Sequence, residues 1–313
     1  MNIIPIISPL IFLALLGFVI AKKSWLSEQQ LAGLIKATFA IFIPAFLFYR
    51  MATADLDSQL NIHLFSSFYL PVLICFALGF IVNHFWHSEH KKNKAASAVF
   101  ALGSSYSNNV IVGLPVLLLL IGDKALPIIF LIVTFHSAML FALTSAIAST
   151  QAQSSQTKNS WLTFIKQTLS NPLIVAILSG LAINKLGITL PDVISKSLQF
   201  LGQPAIPLAL ISLGASIAKY DIRGERKFIA LASAIKLLVL PSLVYFTATY
   251  LFKLELLVVQ VLVILSACPT GVNAYLLAQL HQVHRKAVAS TVVASTVASV
   301  FTLPLWMYWL NLA

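Results

Sequence analysis

Charge is what this sequence lacks most. Asp, Glu, Lys and Arg together make up 9% of 313 residues, and only nine are acidic. Soluble globular domains carry roughly 25%, so a cytosolic enzyme, a disordered chain and a nucleic-acid-binding chain are all excluded. Cysteine is scarce too. Its two residues, Cys75 and Cys268, both fall in apolar stretches and read as small buried thiols rather than a disulfide framework. The sequence has no G-x-G-x-x-G, P-loop, H-E-x-x-H or C-x-x-C, which removes the familiar nucleotide, metalloprotease and thiol-redox chemistries. No resident cofactor or metal is expected, and neither is an enzyme.

Apolar length is present instead, with 59% of the chain hydrophobic. Runs without Asp, Glu, Lys or Arg recur at 1–21, 58–88, 95–122, 125–157, 197–218, 256–284 and 287–313. Each holds enough apolar residues for a helix of about 20 residues to cross a hydrocarbon core of about 30 Å. Weaker candidates at 31–49, 168–184 and 228–250 bring the predicted count to ten: 3–21, 31–49, 62–82, 95–121, 125–148, 168–184, 198–218, 228–250, 256–280 and 287–310. The connections left over are too short for a soluble domain with its own core.

Thirteen basic residues lie in the connections after spans one, three, five, seven and nine, from Lys22 to Lys286, against five in the alternate connections. The positive-inside bias puts the richer set in the cytoplasm and both termini outside. In that arrangement Lys36 and Lys236 sit near cytoplasmic helix ends, where a long stem carries the ammonium out to the headgroups. A basic face beside anionic lipid accounts for the net charge of +11 without nucleic acid.

Five spans per half make the second half enter the membrane from the opposite side, the arrangement of inverted repeats. The predicted division is a first repeat at 1–148, a polar cytoplasmic linker at 149–167, and a second repeat at 168–313. The fourth span of each half carries the most unusual residues. These are Ser104 to Asn109 leading to Gly113-Leu114-Pro115, and Cys268-Pro269-Thr270-Gly271-Val272-Asn273. Proline removes an amide donor and clashes with the carbonyl four residues back, while glycine lets the chain turn. Helix breaks are therefore predicted at Gly113 and Pro115 and at Pro269 and Gly271, with half-helices starting near Pro115 and Thr270.

Matching interruptions in two halves point to a binding site near the bilayer midplane. Freed amides at the starts of half-helices favour an anion. Asn108, Asn109 and Asn273 supply side-chain amides for contact or capping, and Thr270 supplies a hydroxyl. His136, central in span five, is the one titratable group seen at depth. It reads either as a proton-coupling group or as a neutral imidazole bonded to a neighbouring helix. Sodium at a break is the other coupling ion left open. Ala287, Thr291, Ser295 and Ser299 form a small-residue stripe suited to close helix packing. His84, His87 and His90 form a spaced series read as a wet interfacial loop rather than a metal site.

On Asn108 through Gly113-Leu114-Pro115, on Cys268 through Ala274, and on Ala205-Ile206-Pro207-Leu208 with Leu213-Gly214, the sequence resembles the auxin efflux carrier family. It is especially similar to bacterial members known as malonate or organic-acid permeases. The resemblance covers nearly the whole chain. It implies an all-α polytopic membrane protein of ten helices, elevator-type in the manner of NhaA and the bile-acid transporters, with helices four and nine crossing at Pro115 and Pro269. Spans one, two, six and seven would form a scaffold and homodimer contact, and spans three to five and eight to ten a moving transport domain. The implied activity is passage of a small organic anion across the inner membrane by alternating access. A channel or sensor on the same fold is the alternative.

Overall fold

A computed structural model describes residues 3–54, 62–86, 93–149, 171–219 and 226–312. The predicted linker, apart from Ser149 at its start, lies outside these residues, as do His87 and His90 of the histidine series. The described chain is helical. Six helices are long and apolar enough to cross a membrane: Glu28–Thr53, Ile62–Phe85, Gly122–Ala148, Asp192–Lys219, Arg226–Leu251 and Arg285–Trp309. The other four predicted stretches hold shorter apolar helices.

In chain order these are α1 (Ile3–Lys22), α2 (Glu28–Thr53), α3 (Ile62–Trp86), α4 (Lys94–Ser105), α5 (Asn109–Leu120), α6 (Leu126–Ser149) and α7 (Pro172–Lys185). They continue as α8 (Asp192–Gly202), α9 (Ala205–Lys219), α10 (Arg226–Leu251), α11 (Leu256–Ala267), α12 (Ala274–Leu280) and α13 (Arg285–Trp309). Side chains fix where several begin. Ser27 and Gln30 close a capping box on α2, Asn93 accepts from the Ala96 amide at the head of α4, and Asn171 accepts from the Leu173 amide ahead of α7. Each answers an amide that the first turn leaves free.

Three prolines inside helices are handled identically. Turns of π geometry at Thr38–Phe42, Asn109–Gly113 and Ile235–Val239 each end two residues before a proline, at Pro44, Pro115 and Pro241. The wider turn takes up an extra residue and eases the ring's clash with the carbonyl four back. The helix therefore continues through Pro115 rather than breaking there, which corrects the sequence reading. Gly113, too, lies inside the π turn.

The helices pack in two groups. Helix α1 lies along α9, and the second half of α2 packs on α7 and α8. In the other group α3 packs on α4, α4 on α6, α10 on α3 and α11, and α13 on α4, α10, α11 and α12. Where α1 crosses α9 the backbones touch. A Cβ at Gly17 would overlap the Ile211 carbonyl, and one at Gly214 would overlap that of Ala14, so only glycine permits this approach.

Contacts also sort the connections into two ends. Arg50 pairs with Asp123 at 2.7 Å, Asn184 donates to the Ala52 and Ala54 carbonyls at 3.1 and 2.8 Å, and His63 lies 5.5 Å from Phe252. Lys219 meets Glu28 at 3.8 Å, and Phe228 meets His284 at 4.9 Å. The first set joins the connections with few basic residues, and the second joins the basic ones.

One residue departs sharply from its predicted place. Lys236 is 0% exposed and does not reach the surface, whereas Lys36 is exposed as expected. The π turn at Ile235–Val239 shifts the helical phase, so Lys236 faces inward while Leu238 is 52% exposed. Cys75 and Cys268 are free and buried.

Candidate functional site

Between α4 and α5 the chain leaves the helix at Tyr106, Ser107 and Asn108, and between α11 and α12 it does so from Cys268 to Asn273. The two interruptions meet. Ser107 and Thr270 form an isolated antiparallel bridge, in which the Asn108 amide donates to the Pro269 carbonyl at 2.9 Å and the Gly271 amide to the Tyr106 carbonyl at 3.0 Å. Two breaks that would each strand polar backbone in apolar surroundings thus satisfy one another.

Neighbouring helices close most of what remains. The Ser107 amide donates to His136 Nε2 at 2.9 Å, and the Thr270 amide donates to Ser295 Oγ at 3.0 Å. Thr270 Oγ1 donates to the Gly103 carbonyl at 2.8 Å. Thr270 is 0% exposed with its amide and hydroxyl both bonded within the protein, so it braces the crossing. Ser295, on the small-residue stripe of α13, packs closely as predicted and serves also as a cap.

The His136 ring is bonded to a neighbouring segment. Because Nε2 accepts, a neutral ring carries its proton on Nδ1, and that nitrogen is buried without a partner. The ring stacks on Tyr106 at 5.1 Å and 11°. The Tyr106 hydroxyl lies 2.8 Å from Ser137 Oγ and 3.5 Å from Asn273 Nδ2.

Beside the crossing lies a cavity of about 60 Å³, room for several waters. Asn108, Asn109, His136, Ser137 and Asn273 line it, with Phe39 of α2 and Asn171 at the head of α7 closing the far wall. Asn108 and Asn109 are only 5% and 3% exposed. Asn108 Nδ2 and both polar atoms of the Asn109 side chain are buried without hydrogen-bond partners. The backbone amides of Asn109, Val110 and Ile111, at the start of α5, find no partner among the described residues. Asn273 stands exposed at the rim. Buried donors left open are costly. Here they converge on one helix start, where partial positive charge favours an anion.

The predicted site residues therefore divide. Asn108, Asn109, His136, Gly271 and Asn273 line the cavity, Pro269 and Thr270 form the crossing behind it together with Gly271, and Gly113 and Pro115 lie further along α5. Sequence reasoning missed Asn171, although an Asn-Pro pair ahead of an apolar run is a helix-start signal. It also missed Lys236 as an interior group. Among the described residues no group of three or more His, Cys, Asp or Glu is placed to hold a metal.

A chain of apolar helices with large exposed apolar side chains, two crossing interruptions and a polar cavity beside them fits the class of membrane transport proteins. Residues 3–307 match the family described as Membrane transport protein, and the chain belongs to that family. It is a transporter, not an enzyme. Its relatives include a "Putative malonate transporter" of Rhizobium meliloti, 22% identical over 97% of this chain and 94% of that protein. Auxin efflux carrier component 8 of Arabidopsis thaliana is 23% identical over 97% of this chain and 96% of its own length. The uncharacterized transporter YfdV of Escherichia coli K12 is 23% identical over 96% and 95%.

Proposed function

We propose that the chain is a secondary carrier that moves a small organic anion, malonate or another carboxylate, across the bacterial inner membrane by alternating access. The observation that carries this reading is the convergence of the open Asn108 and Asn109 amides with the free start of α5 on one cavity beside the crossing. A carboxylate there would accept from α5 amides and from the Asn108 side chain, with His136 Nδ1 as a further donor. The name of the Rhizobium relative agrees with an organic acid.

Ten membrane passes in two inverted repeats, with both termini outside, belong to the same reading. The sorting of connections into a basic and a less basic end supports it. The packing of α1, α2, α7, α8 and α9 as one group supports a scaffold that also holds the homodimer contact. The cavity lies between this group and the other, and only α5 and α6 of the site-bearing helices touch it extensively, as an elevator motion requires. The interface crevice between α1, α9 and α13 is lined almost wholly by apolar side chains, a surface suited to sliding.

Counterflow in proteoliposomes tests the reading. Purified protein preloaded with a mono- or dicarboxylate should accelerate uptake of the same labelled acid, and the rate should saturate. Flux that rises linearly without saturation would make the protein a channel, and absence of counterflow across a broad panel that includes malonate would remove the organic anion.

A further inference from the structure

Lys236 lies outside the cavity and is not used by the reading above. It is fully buried, and its Nζ donates to the Ser266 carbonyl at 2.5 Å. Ser266 stands in the last turn of α11, directly before the second break, where the chain turns to extended geometry at Cys268 (φ −58°, ψ 150°). The final carbonyls of a helix have no partners of their own and carry partial negative charge. Two side chains close this end: Cys268 Sγ donates to the Ile264 carbonyl at 3.2 Å, and Lys236 takes that of Ser266. The four described acidic residues, Glu28, Asp123, Asp192 and Glu255, are all exposed. The ammonium therefore faces a helix end rather than a buried carboxylate.

A carbonyl end beside a broken helix is the kind of place where transporters of crossing topology bind a coupling cation. Here a tethered cation already sits on it. We propose that Lys236 holds the position of a coupling cation at the crossing, its ammonium closing the carboxyl end of α11, so that transport by this chain runs without sodium. The proposal rests on the carrier reading. It makes Lys236 a positioning residue, since it acts on the second break and not on the substrate.

The test uses wild type, Lys236→Met and Lys236→Ala. Malonate counterflow is compared in sodium, potassium and choline salts at equal ionic strength, and thermal melting is followed in the same salts and with added propylammonium or propanol. Wild-type counterflow and melting should be indifferent to sodium. Lys236→Met keeps the stem and drops the charge, leaving the Ser266 carbonyl without its donor, so melting should fall modestly while counterflow falls about tenfold or more. Propylammonium, and not propanol, should raise the melting temperature of Lys236→Ala, a readout that space-filling alone would not give. Sodium-dependent wild-type counterflow, wild-type rates in Lys236→Met, or equal effects of propanol and propylammonium would each overturn the proposal. If wild type moves no malonate in any salt, the malonate form of the carrier reading fails, and the melting measurements still decide Lys236.

Discussion

The two breaks are built differently. At the first, Asn108 and Asn109 keep unpartnered amide groups on the cavity, and α5 begins with three free amides. At the second, the Thr270 amide and hydroxyl are both bonded, Gly271 lies against Tyr106, and the preceding helix end is closed by Cys268 and Lys236. The first break is the more open of the two: at the second the amides of Val272 and Asn273 also find no partner among the described residues, but the crossing itself is bonded on both sides. The pairing across Ser107 and Thr270 lets the second hold the first in place. On the proposed carrier reading, the first break presents donors to the anion and the second chiefly supplies rigidity.

The sharpest way to break this contrast is at Gly271. A Cβ there would overlap the Tyr106 ring and stand 3.3 Å from the Ser107 carbonyl, both part of the bridge. Overpacking of this kind costs about 1–3 kcal/mol. Gly271→Ala should lower the melting temperature of purified protein and abolish counterflow, because the bridge and the cavity wall move together. Normal melting and transport would mean that the second break does not brace the first.

Asn108→Ala should do the reverse. Its Nδ2 has no protein partner to lose, so melting should change little. A hydrogen bond to a charged group is worth about 1.5–3 kcal/mol, so half-saturation for the transported anion should rise by roughly tenfold to a hundredfold. If Asn108→Ala instead destabilises the protein with half-saturation unchanged, the first break is structural and the contrast fails.

Much of this was legible before the fold was known. Apolar length located the six long apolar helices and the four shorter ones among the described residues, because a bilayer imposes it whatever the packing. The unusual residues of spans four and nine located both interruptions, and Asn108, Asn109, His136 and Asn273 all line the cavity. What failed had a common cause. A π turn carries Pro115 without a break and turns Lys236 inward, and a pattern read at 3.6 residues per turn has no way to register one extra residue. The committed state of Thr270 depends on Ser295 and Gly103, 25 and 167 residues away, and single-chain spacing does not report such partners. Asn171 closes the cavity across α7 for the same reason of distance.

The smallest effect is expected at Asn273, which belongs to the second break by sequence and to the cavity by position. It is exposed at the rim, and the one hydrogen bond of its side chain among the described residues is a long contact of 3.5 Å to the Tyr106 hydroxyl. A neutral contact that solvent can replace is worth about 0.5–1.5 kcal/mol, so Asn273→Ala should weaken half-saturation by less than about tenfold and leave melting unchanged. Measured beside Asn108→Ala in one counterflow series, it ranks the two asparagines directly. If Asn273 proves the more costly of the two, the anion lies toward the second break, and the donors at the start of α5 serve the fold rather than the ligand.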